Sequence, residues 1–258
     1  MHKNKIERVV VILQARMGAT RLPGKPLKMV LGKPLLSYQL ERLRRAKNVN
    51  GIIVATTIAP QDDAIVELCH KENIRVFRGS ENDVLDRYYQ AAMEYHADII
   101  VRITGDCPLI DPVAVDQVID YFLQHRSSCD YASNSIHRTF PRGLDCEIFS
   151  FQALERAANE AKLPEEREHV TPYFYEHPTL FKIGSVTQKT DKSHHRWTVD
   201  TAEDFELISR IITALYPHSA EFTTEDIEKL LKKHPDWVAL NAHVIQKSHK
   251  PEAGLVNH

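Results

Sequence analysis

The sequence predicts an α/β fold: a single domain on a mostly parallel, Rossmann-like sheet flanked by helices, with an inserted α+β subregion. Three observations carry it. Short runs rich in Val and Ile recur through the first half of the chain, each followed by a stretch of helical periodicity, the alternation that right-handed βαβ crossovers require. The 258 residues contain 43% hydrophobic and 26% charged side chains, the balance of a globular domain with one extended core. The first apolar run opens into a loop of small and basic residues, where open α/β sheets take ligands.

The elements follow in order. Val9–Leu13 is the first strand, and Pro34 opens a helix with Leu36, Leu40 and Leu43 on one face. Gly51–Thr56 is the second strand, and Pro60 leads into a helix carrying Ile65, Leu68 and Cys69. Ile74–Phe77 is a third, short strand. Ser80 is the expected N-cap of the next helix, with Asp83 as its capping-box partner, and that helix turns Leu85, Tyr88, Tyr89 and Ala92 inward. Asp98–Ile103 is the fourth strand, and Pro112 starts a helix with Val115, Val118, Ile119 and Phe122.

The pattern loosens after Asp130. Cys146–Ser150 reads as a strand, Phe151–Lys162 as an alanine-rich helix ended by Pro164, and Leu180–Val186 as a strand. His195–Asp200 reads as a strand returning to the main sheet, and Ala202–Leu215 and Thr224–Lys233 as amphipathic helices. The catalytic domain is placed at 1–240, with an insertion at about 135–190 and a loosely held tail at 241–258.

A net charge of −2 gives no global basic footprint, so nucleic acid is not the expected partner and any phosphate site is a local concentration of charge. Cys69, Cys107, Cys129 and Cys146 form no Cys-x-x-Cys pair, which points to buried thiols in a reducing compartment. The first apolar run is too short to cross a bilayer and lacks a cleavage site, so no membrane role and a cytoplasmic location are expected.

The loop after the first strand carries Arg16, Arg21 and Lys25 among Ala15, Gly18, Thr20 and Gly24. Small residues let backbone amides approach a phosphate, and fixed cations hold it. It is neither a Walker A loop, since Pro26 follows Lys25, nor Gly-x-Gly-x-x-Gly. Beyond the fourth strand, Thr104-Gly105-Asp106 places a carboxylate at the same sheet edge. Asp200 ends the His195–Asp200 run, and Thr201 with Asp204 can cap the following helix, leaving Asp200 free. Two carboxylates facing a basic loop suit Mg²⁺ on a polyphosphate, because Mg²⁺ takes one or two carboxylates plus phosphate oxygens and waters.

The stretch Leu13 to Leu27 resembles the signature of the cytidylyltransferases that make CMP-activated sugar acids, nearest to the spore-coat-polysaccharide type. Arg-Leu-Pro-Gly-Lys-Pro-Leu (21–27), Gly-Asp-Cys-Pro-Leu-Ile (105–110), Arg-Gly-Leu-Asp (142–145), Glu-Arg-Glu-His-Val-Thr-Pro (166–172) and Trp-Thr-Val-Asp-Thr (197–201) fall in the family's order. The resemblance implies a nucleotidyltransferase sheet and a CTP-dependent transfer. Arg16 and Lys25 become the catalytic triphosphate binders. Leu13, Ala15, Gly18, Thr20, Arg21, Ser80, Thr104 and Gly105 join them around the nucleotide, and Asp106 and Asp200 are the Mg²⁺ ligands. The insertion is expected to hold a sugar-acid or phosphonate acceptor with Arg142, Asp145, Glu147, Arg167 and His169. Glu165–Glu168 also reads as a solvated helix face. The helix Phe151–Lys162 and the Val170–Phe174 stretch are the expected contacts of a homodimer. The departure is Gln14, where synthetases of CMP-ulosonates usually carry Pro.

Three other readings remain open at this point. A UTP- or GTP-dependent sugar-phosphate nucleotidyltransferase would differ in base selectivity. A non-catalytic nucleotide-binding module would bind without releasing pyrophosphate. A glycosyltransferase would consume a sugar nucleotide and form no pyrophosphate.

Overall fold

Strand β1 (Val9–Gln14) is the buried axis of the protein, described by a computed structural model over residues 7–246. Its alternation feeds two cores at once. Val9, Val11 and Leu13 pack into one cluster, Val10 and Ile12 into another on the opposite face, as period-2 side chains on a doubly covered sheet must. The chain continues through β2 (Met29–Val30), β3 (Lys33–Pro34), α1 (Leu35–Leu43), β4 (Gly51–Thr57), α2 (Asp63–Lys71), β5 (Arg75–Gly79), α3 (Val84–Glu94), β6 (Ile99–Thr104) and α4 (Pro112–Gln124). It ends with β7 (Tyr131–Ser133), β8 (Glu147–Ser150), α5 (Phe151–Glu160), α6 (Pro164–His169), α7 (Pro172–Tyr175), β9 (Ile183–Ser185), α8 (Ala202–Leu215), α9 (Thr224–Lys233) and α10 (Pro235–Ala239).

The main sheet has the order β5-β4-β1-β6-β8-β7-β9. β5, β4, β1 and β6 are mutually parallel, and β8 runs antiparallel to both β6 and β7. The predicted mostly parallel α/β class is therefore the observed one. Helices α1, α2 and α4 cover one face, α3, α5 and α7 the other. A third cluster joins α8 and α9 to Trp197 and Val199. No helix among the described residues is long and apolar enough to cross a membrane. The four cysteines are buried and unpaired, as expected.

Several sequence expectations need correction. The N-cap of α3 is Asp83, which accepts the Asp86 amide at 2.9 Å; Ser80 Oγ only takes the Asp83 amide. Asp83 wins because its carboxylate also accepts the Arg167 guanidinium, tying α3 to α6. Pro164 does not end α5. That helix stops at Glu160, and Pro164 starts α6, where a missing N–H is harmless. Glu166 is buried rather than solvated, since its carboxylate takes the Lys162 and Leu163 amides, both at 3.1 Å. The Leu180–Val186 strand is only Ile183–Ser185, paired with the unforeseen β7.

His195–Asp200 is not a strand. It laces two loops: Trp197 N donates to Arg142 O at 2.7 Å and Val199 N to Asp106 O at 2.8 Å. Gly143 explains the interruption. It has φ +99, and an added Cβ would lie 2.5 Å from the Trp197 carbonyl carbon. Gly143→Ala is therefore expected to lower stability by about 2–4 kcal/mol, read as a lower urea midpoint. Gly32→Ala is the control, since it shares the positive φ but its Cβ would meet nothing within 4 Å. It should lose only about 1 kcal/mol.

The apolar faces of the expected dimer contacts pack into the chain's own core. Val170 and Phe174 are fully enclosed, as are Leu154 and Ala157 of α5. The first residues of the expected tail are anchored to the domain. Asn241 is buried and donates to Arg196 O and to Asp204 Oδ1, so 241–246 is held; the remainder of the expected tail, 247–258, lies outside the described residues.

Candidate active site

The carboxyl ends of β1 and β6 open into a cleft of about 920 Å³. The loop after β1 is shaped by three contacts. Met17 O accepts the Ala19 and Gly24 amides, each at 2.9 Å, and Met17 N donates to Asp62 Oδ1 at 2.7 Å. Asp62 is fully buried and also takes the Thr57 amide and hydroxyl. It is the pin that holds the loop, and nothing in the local sequence marked it. Gly24, at φ +70, turns the chain into a 3₁₀ turn that aims Lys25 into the cleft.

On the other side, Gly105 N donates to Gln14 O at 2.8 Å, and a Cβ on Gly105 would sit 2.8 Å from that oxygen. Only glycine lets the two loops approach this closely. The buried Gln39 amide fixes the Thr104 carbonyl at 2.7 Å. Thr201 and Asp204 form the expected capping box on α8, so Asp200 does not serve as the cap.

These devices converge on one ammonium. Lys25 Nζ donates to Asp200 Oδ1 at 2.8 Å and to Val199 O at 2.9 Å, and lies 3.5 Å from Asp106 Oδ2. Burial alone would lower the Lys25 pKa, but Asp106 and Asp200 more than reverse this and raise it, so Lys25 stays charged. Burial would likewise raise the Asp106 pKa. The Lys25 charge and donors from Thr104 and Cys107 overcome it and hold the carboxyl well below the usual range. Asp200 is gripped further by Arg21 at 3.0 Å and by Arg196 at 3.2 Å. Arg196 is held in turn by buried Asp204 at 2.8 Å.

Ala15, Arg16, Thr20, Arg21, Lys25, Thr104, Gly105, Asp106, Arg142, Asp145, Glu147, His169 and Asp200 all line this cleft. Leu13, Gly18, Ser80 and Arg167 do not line it. The Leu13 side chain is wholly in the core. Gly18 faces Gln61 and Glu81. Ser80 serves the turn before α3, and Arg167 pairs with Asp83. Arg16 rests on Glu81 at 3.1 Å, with both side chains about 40% exposed, a weak contact.

The structure adds Arg102, Arg138, Tyr175, Thr198 and Gln246 to the lining. Arg138 pairs with Asp145. Arg142 forms no ion pair among the described residues; burial and the neighbouring Arg138 charge lower its pKa. Arg142 and Arg138 together make an under-neutralised cationic corner, suited to a carboxylate.

Behind that corner, His195 stacks on Trp197 with ring centroids 5.1 Å apart. Burial, with His194 beside it, lowers its pKa to about 4. The unfolded chain then binds the extra proton between the ordinary pKa of about 6.5 and 4. This contribution to stability is complete above pH 6.5 and is lost as pH falls toward 4. His195→Gln is expected to flatten that acid limb. An imidazole titrating near 6.5 in NMR would overturn the expectation.

Comparison with known proteins gives a consistent picture. The family model described as cytidylyltransferase matches residues 10–243. A solved cytidylyltransferase from Leptospira borgpetersenii superposes with a TM-score of 0.86 at 40% identity, covering 90% of this chain and 97% of the other. The spore coat polysaccharide biosynthesis protein SpsF of Bacillus subtilis is 32% identical over 88% of this chain and 95% of its own length. The 3-deoxy-manno-octulosonate cytidylyltransferase of Anaeromyxobacter dehalogenans is 40% identical over 43% of this chain and 46% of its own length.

Proposed function

The chain belongs to the cytidylyltransferase family, and from that premise we propose that it transfers CMP from CTP to a hydroxyl of a sugar acid, releasing pyrophosphate, for surface polysaccharide or glycoconjugate synthesis. The observation that carries this reading is the meeting of Lys25 with Asp106 and Asp200 in a cleft that Arg138 and Arg142 also line. Cations for a polyphosphate and cations for a carboxylate thus share one cleft.

In the proposed reaction the acceptor oxygen attacks the α-phosphorus of CTP. The new O–P bond forms as the bond to the β-phosphate oxygen breaks, and pyrophosphate carries that electron pair away. Lys25, Arg16 and Arg21 offset the negative charge that grows on the phosphoryl and leaving oxygens. The loop amides near Ala15 and Thr20 orient the triphosphate, and Arg142 orients the acceptor for in-line attack. Asp106 is a poor proton acceptor, because its carboxyl is held low. The acceptor proton is therefore assigned to water in the cleft.

A divalent ion belongs to the same proposal. No cluster of three or more His, Cys, Asp or Glu residues that could hold a metal occurs among the described residues. Mg²⁺ shared with a nucleotide needs only one or two carboxylates from the protein. Asp106 and Asp200 would hold it, and it would supply charge neutralisation on the phosphates. Lys25 already bridges these two carboxylates, so their geometry suits one shared cation. A homodimer is also proposed. Its contact must involve surfaces other than the buried faces of α5 and of 170–174, and light scattering reads it.

The test is pyrophosphate release with CTP, Mg²⁺ and a panel of 3-deoxy-ulosonic acids and phosphonates, repeated with UTP and GTP. Release that requires both CTP and a sugar acid supports the proposal. Equal rates with UTP and a sugar phosphate favour the near rival, and CTP binding without release favours the non-catalytic module.

A further inference from the structure

The rungs joining β6 to β8 change character at the cleft. Ile100 faces Phe149 and Val101 faces Ile148, all four fully buried. At the last rung Arg102 faces Glu147, and both line the cleft. The two form an ion pair with side chains only 12% and 11% exposed. Tyr131, on β7, donates its hydroxyl to Glu147 Oε1 at 2.6 Å, and the Arg102 guanidinium lies 5.9 Å from the Tyr88 ring centroid.

A purely structural clamp would not need this chemistry, since the apolar rungs beneath already pair the strands. Leaving buried polar groups there is costly. Arg102 Nε is enclosed and donates to nothing, and a buried donor without a partner is costly. Tyr175 lines the same wall, its pKa pushed up to about 12 by burial and by the Glu147 charge.

We propose that the Arg102–Glu147 pair, fixed by Tyr131, reads neighbouring hydroxyl groups on the acceptor and thereby sets acceptor specificity. This rests on the acceptor being a hydroxylated acid, as proposed above. The pair presents a donor and an acceptor side by side. A hydroxyl satisfies both, accepting from Arg102 and donating to Glu147. A carboxylate would be repelled by Glu147 and an ammonium by Arg102, so the neutral polyol part of the acceptor is the group that fits. A site built to hydrogen-bond a hydroxyl strongly rejects the analogue lacking it, because its buried groups are left unpaired.

The experiment compares each acid that the native chain turns over with its mono-deoxy analogues. The native chain should lose about 10²–10⁴-fold in kcat/KM on the analogue missing the recognised hydroxyl. The variant Arg102→Met with Glu147→Leu replaces the pair by apolar groups of similar size, a change that folds often tolerate. Calorimetric binding of CTP reports that its nucleotide site is intact. In that variant the discrimination should collapse to within about threefold, through a raised KM for the hydroxylated acid. Glu147→Gln, which keeps the shape, should reduce it about tenfold and serves if the double variant does not fold. Native-like discrimination in a variant that binds CTP overturns the proposal. Failure of the functional reading looks different: the native chain then turns over no sugar acid at all, and this proposal falls with it.

Discussion

Asp106→Asn is expected to lower kcat/KM for CMP transfer by about 10²–10⁴-fold and to lower the unfolding midpoint modestly, since the charged carboxylate that Lys25, Thr104 and Cys107 favour is lost. Asp200→Asn should lose comparable activity and melt earlier still. The asymmetry comes from the charges around each carboxylate. Asp106 answers one cation, Lys25 at 3.5 Å, and Lys25 keeps its 2.8 Å contact with Asp200 when Asp106 is neutralised. Asp200 answers three: Lys25, Arg21 at 3.0 Å and Arg196 at 3.2 Å. An amide there leaves Arg21 without this partner and three cations crowded about a neutral group. Arg196 retains Asp204 at 2.8 Å, which limits the damage to about 1–3 kcal/mol. Pyrophosphate release across a Mg²⁺ titration, paired with melts in metal-free buffer, separates the two effects. Near-native rates for both variants at limiting Mg²⁺ would remove these carboxylates from the chemistry.

The parts of this site that the sequence disclosed share a physical signature. β1 is an unbroken apolar run that ends in small and basic residues, so the strand and the basic loop that lines the cleft were both visible locally. Thr201 and Asp204 were legible as a cap because capping is a contact three residues long. What stayed hidden depends on distant partners. Asp62 pins the loop from 45 positions away. Arg167 looked like an acceptor ligand until Asp83, 84 residues earlier, claimed its guanidinium. β7 and β9 have three residues each, too few for a period to emerge. Trp197 and Val199 share one core cluster, the spacing of a strand, yet their amides bond to two separate loops. Arg102 did leave a signal: a charge on the same face as Ile100 in a strand whose other residues up to Ile103 are apolar. A cation at that place is hard to explain by packing alone.

Lys25→Ala is expected to slow transfer by about 10²–10⁴-fold and, unlike a simple loss of function, to gain something measurable. In the nucleotide-free protein the ammonium lies between Asp106 and Asp200, with the charge that a divalent ion there would also bring. Two charges 4 Å apart at a protein surface interact by about 4 kcal/mol, so removing Lys25 removes a strong competitor. Nucleotide-free Lys25→Ala should therefore bind Mn²⁺ about tenfold or more tightly than the native chain, by calorimetry or electron paramagnetic resonance. Lys25→Arg should not restore the rate, because a planar fork does not replace a compact ammonium that meets three oxygens within 3.5 Å. A variant with lost turnover but unchanged Mn²⁺ affinity would mean that the carboxylates do not share one cation position. Unchanged rate and CTP affinity would place Lys25 outside the reaction. The combination of slower transfer and tighter metal binding is what distinguishes a lysine that yields its place to the ion, then serves the phosphates, from one that merely holds two loops together.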